Sequence, residues 1–138
     1  GITSARIACS SEEKAIATAR ELAPYLLAEE ILPLAGLDEA TRPWVDGDYA
    51  SVAEEYLQGR QVPGWEPMTS VVERVDGGIR SAIDGEVRVI VGHGLSFSAW
   101  LSAVAPKVSP AGFWRSLAFP DARSVNLASG EVAPLGED

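Results

Sequence analysis

Val87-Arg88-Val89-Ile90-Val91-Gly92-His93-Gly94-Leu95-Ser96 is the stretch that decides how this chain folds. A short β-branched run ends in Gly-His-Gly, and helical spacing follows at once, with Phe97, Trp100, Leu101 and Val104 on one side. The pattern predicts a buried strand that delivers a histidine to a strand-to-helix turn. The two glycines permit a close backbone approach. A helix start just beyond offers N–H groups and the positive end of a dipole, which suits an anion such as phosphate. His93 is the only histidine, so any imidazole chemistry rests on it or on a partner.

Working outward, residues 5–9 read as a strand. A helix follows, capped by Ser10 or Ser11, with Ala15, Ala19, Leu22 and Ala23 on one face and an end near Pro24 or shortly after. Residues 31–34 read as a second strand, which Pro33 confines to an edge or an end. Residues 37–48 form a loop, 49–57 a helix and 59–67 another loop. The clearest amphipathic helix is 69–83, with Thr69 as its cap and Val71, Val72, Val75, Ile79 and Ile83 at helical spacing. The decisive strand spans 86–91 and its helix 96–104. Pro110 opens a short helix to Leu117. Residues 124–127 and 131–135 form a hairpin around Ser129-Gly130. Alternating strands and helices are the grammar of an α/β fold with a mainly parallel sheet flanked by helices. Residues 1–138 are expected to form one domain. In such sheets ligands sit at the carboxyl ends of the strands. Two of those ends carry polar chemistry: Cys9-Ser10-Ser11 and Gly92-His93-Gly94.

Composition narrows the function. The chain has 138 residues, is 46% hydrophobic and carries a net charge of −9. Nonspecific nucleic-acid binding needs basic patches, so the acidic balance argues against it. No apolar run approaches the roughly 18 residues of a membrane span, and no membrane partner is expected. The single cysteine, Cys9, excludes an internal disulfide and a cysteine-based zinc site. A reducing cytoplasm is the expected location.

Three blocks resemble the histidine phosphatase superfamily, the phosphoglycerate mutase-like proteins. Cys9 to Ala19 resembles the family's S-S-P-x-x-R-A-x-Q-T-A segment. Leu37-Asp38-Glu39 resembles its acidic L-x-E loop. Val89-Ile90-Val91-Gly92-His93-Gly94 resembles V-x-V-x-H-G, which carries the family's second active-site histidine. The resemblance implies that His93 helps hold the transferring phosphoryl group and that Glu39 donates a proton to the leaving oxygen. It implies phosphate contacts from Lys14, Ser10 and the Gly94 backbone. Lys14 stands where the family has an arginine, supplying charge without the bidentate fork. The implied ligand is a small phosphorylated molecule, with no cofactor and no metal.

The family's Arg-His-Gly, whose histidine becomes phosphorylated, is absent here, as are the family's first strand and helix. The resemblance therefore predicts a truncated start, and a rearranged sheet or a homodimer that covers the missing strand. It implies phosphomonoester hydrolysis or phosphoryl transfer, with this form of the chain inactive. The alternatives are a phosphate-binding relative without catalysis and a purely structural one.

Other residues compete for roles. Glu66, beside Trp65, is a rival acid if burial raises its pKa. Ser10 and Ser11 read more readily as helix caps than as nucleophiles. Cys9 reads as a small buried residue. Trp65, in its Pro-Gly loop, is the tryptophan that could border a pocket. Arg42 reads as the partner of Asp46 or Asp48.

Overall fold

The structure, a computed structural model, describes residues 3–135; the expected truncation at Gly1 lies outside them. Strands β1 (Arg6–Ser10), β2 (Glu30–Leu34) and β3 (Val89–Val91) form a parallel sheet in the order β2-β1-β3. Helices α1 (Glu13–Leu26), α2 (Tyr49–Leu57), α3 (Met68–Asp84), α4 (Gly94–Val104) and α5 (Pro110–Ser116) flank it. A hairpin, β4 (Arg123–Asn126) with β5 (Glu131–Pro134), is a separate antiparallel sheet. This is the expected α/β architecture. Pro33 sits on an outer strand, where its missing N–H interrupts no ladder.

The period-2 alternation of β1 sorts the core onto two faces. Ile7 and Cys9 face α1, where the small side chains Ala15 and Ala19 pack in one cluster with them. Ala8 belongs to the larger cluster built on α2, α3 and α4. In α3 the buried stripe is Val71, Val75, Ile79 and Ala82, while Ile83 is 40% exposed. Helix α4 buries Leu95, Ser96, Ser98, Ala99, Trp100 and Leu101, nearly its whole circumference at the start, so its sequence shows only a weak stripe.

Several boundaries differ from expectation, each for a local reason. Helix α1 does end shortly after Pro24 as expected, at Leu26, closed by Leu27 in the left-handed region at φ 55°. Neither serine caps it with a side chain; Glu12 is its N-cap residue. Helix α3 starts at Met68 after Pro67 rather than at a Thr69 cap. Helix α4 starts two residues early, at Gly94, with His93 as N-cap residue. Strand β3 shortens to three residues, because Glu86 takes φ 65° and turns the chain after α3.

Between β2 and α2 a 3₁₀ turn (Ala35–Leu37) places the acidic loop. Leu37 is fully buried against α3. Gly36 lies so close to α3 that a Cβ there would stand 2.8 Å from the Arg74 carbonyl oxygen. This approach fixes where Asp38 and Glu39 point.

Candidate functional site

The register pairs Cys9 with Val91, so β1 and β3 end side by side. Beyond those ends lie Ser10 and His93. His93 has extended backbone (φ −123°, ψ 146°), and its carbonyl accepts the first bond of α4 from Phe97 N–H at 3.0 Å. Its ring Nε2 is 2.8 Å from Ser10 Oγ and 3.0 Å from Glu12 Oε2. The imidazole is mostly enclosed, with 16% of its side chain exposed.

Asp38 anchors the other side of Ser10. Its Oδ1 accepts the Ser10 hydroxyl at 2.7 Å and the Ser11 N–H at 2.7 Å, and Ser11 Oγ–H reaches Oδ2 at 2.7 Å. Burial pushes the Asp38 carboxyl up, but the hydroxyls of Ser10 and Ser11, the Ser11 N–H and the Arg74 charge together hold it below its ordinary value. Ser10 is fully buried, and its Oγ also accepts the Glu12 N–H at 3.1 Å. Its hydroxyl is spent inside the protein, linking Asp38 to His93.

Glu39 occupies the start of α4. Its carboxylate accepts Leu95 N–H at 3.3 Å, Ser96 N–H at 2.8 Å and Ser96 Oγ–H at 2.6 Å. An anion already fills the place where the sequence predicts free N–H groups for phosphate. Glu12 also accepts the Glu39 N–H at 2.7 Å. Three carboxylates, Glu12, Asp38 and Glu39, thus surround the single imidazole or its immediate supports.

The cation that balances this loop is Arg74, which carries no sequence signal beyond its place on the polar side of α3. Its guanidinium donates to the carbonyls of Gly36 (2.9 Å), Asp38 (2.7 Å) and Glu39 (3.1 Å). It also forks onto Glu66 at 2.9 and 2.8 Å. The Arg74 hydrogen bonds hold the Glu66 carboxyl below its ordinary value despite partial burial. Glu66 is therefore a loop anchor, and its expected rise as a rival acid does not occur.

Lys14 is exposed on the first turn of α1. Gly94 opens α4 beneath the ring of Phe119, which is itself 71% exposed. Arg42 is half-buried over the Tyr49 ring, 5.2 Å from its centroid, and donates to the Ala40 carbonyl. The expected pair with Asp46 or Asp48 does not form among the described residues; Asp48 instead caps α2 through Ser51. Trp65 is buried against Tyr49 and Tyr56 rather than bordering a pocket. Cys9 is buried, and burial pushes its thiol up, the inert case. Among the described residues, no three His, Cys, Asp or Glu side chains converge as metal ligands would, and no helix is long and apolar enough to cross a membrane.

No protein-family model matches the chain, and no curated protein matches it. Its architecture does match a solved structure, Bacillus stearothermophilus YhfR, with a TM-score of 0.66 at 18% sequence identity. The match covers 97% of this chain and 74% of that one. The fold is phosphoglycerate mutase-like. Within a phosphoglycerate mutase-like fold, His93 holds the carboxyl end of an outer parallel strand, and Ser10 the end of the central one. The sequence singles out His93, and the structure adds Asp38, Glu12 and Arg74 around it or its supports. Asp38 was visible only as the neighbour of Glu39, and Glu12 only as an acidic residue near a helix start.

Proposed function

We propose that this chain is a histidine-phosphatase relative whose His93 site takes a small phosphate monoester. The observation that carries this reading is the single imidazole, fixed through Nε2 where β1 and β3 end together, in a phosphoglycerate mutase-like fold. In phosphoryl transfer a positioned imidazole stabilises charge on the equatorial oxygens. Glu39, whose carboxyl group reaches the start of α4 from its loop, is the residue proposed to protonate the leaving oxygen, in its protonated form. Lys14 is the cation proposed to draw the anion in, and the Gly94 backbone, beneath the exposed Phe119 ring, is proposed to lie beside it.

Cleaving the ester also needs an attacking group, and this chain holds one histidine. Loss of a nucleophile costs several orders of magnitude in rate. The chain as given is therefore proposed to bind the ester without turning it over, in a cytoplasmic setting.

The test is hydrolysis of an aryl phosphate without added metal, together with thermal melting in that ester and in inorganic phosphate. No turnover, and a stabilisation that vanishes in His93→Ala, is the expected result. A ligand at a hundred times its dissociation constant stabilises by about 2.7 kcal/mol. Turnover that survives His93→Ala would sink the reading.

A structural role without a ligand has one observation in its favour: Glu39 already occupies the α4 N–H groups. Unchanged melting in every phosphate compound would establish it. A second copy pairing along the side of β3 that has no strand neighbour among the described residues is part of the proposal, since an outer strand presents unpaired backbone groups. Sedimentation as a monomer at all concentrations would remove that part.

A further inference from the structure

We infer that Ser10, Asp38 and Glu12 lock His93 as its Nε2–H tautomer, so that Nδ1 is the ring nitrogen left for a ligand. The argument is an inventory of protons. A hydroxyl has one proton to give and two lone pairs to receive. The Ser10 proton goes to Asp38 Oδ1 at 2.7 Å, because an ionised carboxylate can only accept. One lone pair of Ser10 takes the Glu12 N–H at 3.1 Å. The remaining lone pair faces His93 Nε2 at 2.8 Å and must receive a proton from it.

The second partner of Nε2 says the same thing independently. Glu12 Oε2 lies 3.0 Å from Nε2, and a carboxylate accepts there as well. Were Nε2 bare, its lone pair would face two oxygens with no proton to offer. Nε2 therefore carries the hydrogen, and a neutral ring then has its lone pair on Nδ1. Among the described residues Nδ1 has no hydrogen-bond partner.

Ser10 and Asp38 are thus positioning residues. Ser10 is fully buried, so its hydroxyl cannot rotate to water for another partner. Asp38 is held in turn by Ser11 and, through its carbonyl, by Arg74. If the site takes phosphate, as the proposed function requires, the imidazole meets it through Nδ1, which takes up a proton as the anion binds, because a bare lone pair cannot donate to phosphate oxygens.

The sole histidine makes the test direct, because every imidazole signal in the spectrum belongs to His93. Long-range proton–nitrogen correlation on ¹⁵N-labelled protein, taken at rising pH until the ring shows one protonated and one bare nitrogen, reads the tautomer in the unmodified chain. The expected result is a single tautomer, with a slowly exchanging low-field N–H on Nε2. A mixed population, or the proton on Nδ1, overturns the inference. In Ser10→Ala, where Glu12 Oε2 alone still accepts from Nε2, that N–H signal exchanges faster, and in Asp38→Asn, whose amide can donate to Ser10 Oγ and free the Ser10 proton for the ring, the Nδ1–H form appears. Both variants keeping the unmodified pattern would overturn the role given to the Ser10–Asp38 link. Inorganic phosphate then serves as the probe of the free nitrogen. A shift at Nδ1 with Nε2 unmoved is expected, and a shift at Nε2 alone overturns the assignment. No shift at either nitrogen overturns the phosphate reading instead, while the tautomer still stands on the N–H signal.

Discussion

Arg74 binds Glu66 through two parallel N–H···O bonds, Nε to Oε2 at 2.9 Å and Nη2 to Oε1 at 2.8 Å. The same guanidinium collects the carbonyls of Gly36, Asp38 and Glu39, so one side chain on α3 shapes the whole acidic loop. Arg74→Ala leaves those carbonyls and a half-buried carboxylate without their donor. Breaking a buried pair costs about 3–5 kcal/mol, and partial exposure reduces this to about 2–3 kcal/mol. The melting temperature should fall by roughly 6–10 °C. A change below about 1 °C would show that the loop holds its shape without Arg74.

Acid should unfold the protein partly through this loop. The Asp38 and Glu66 carboxyls are both held below their ordinary values in the folded state. Their stabilisation is fully present above the unfolded carboxyl range, about pH 4–5. It is lost as pH falls through the depressed folded values. Asp38→Asn removes one contributor, so urea midpoints measured from neutral to acid pH should fall less steeply than in the parent. An unchanged acid limb would contradict the assignment.

Glu39 caps α4 with three hydrogen bonds to Leu95 and Ser96. Loss of a helix cap costs about 0.5–2 kcal/mol, and Ser96 is fully buried, so the upper end applies. Glu39→Ala should therefore destabilise by about 2 kcal/mol. Glu39→Gln, which keeps the acceptor oxygen, should lose less than half of that. Equal losses in chemical denaturation would show that charge rather than the hydrogen bonds secures the helix start.

Two glycines near the site should respond differently to a methyl group. At Gly36 a Cβ would meet the Arg74 backbone carbonyl at 2.8 Å, and backbone of a packed helix cannot step aside. At Gly94 it would meet the Phe119 ring at 2.8 Å, and that ring is 71% exposed and free to turn. Gly36→Ala should cost about 1–3 kcal/mol. Gly94→Ala should change stability by about 0.5 kcal/mol or less, since alanine also favours the helix. Equal melting temperatures for the two variants would refute the distinction.

What the sequence alone determined was local and periodic. The β-branched run before Gly92-His93-Gly94 specified β3 and the turn. The stripe through Val71, Val75 and Ile79 specified α3, and Pro110 specified the start of α5. These signals lie within a few residues of what they control, so a single sequence displays them. Pairings across the chain were decided only by the tertiary structure. Asp38 and Glu39 are adjacent acids of similar chemistry, yet one reaches Ser10 and the other reaches Ser96. Leu37 buried against α3 sets that division, because successive side chains of an extended loop point opposite ways. Arg74 looks like any polar residue on an amphipathic helix until the close approach of Gly36 brings the loop carbonyls onto it. The histidine was legible because a strand and two glycines announce it. Its proton was not, because the partners that fix it come from β1, the start of α1 and a loop far apart in sequence.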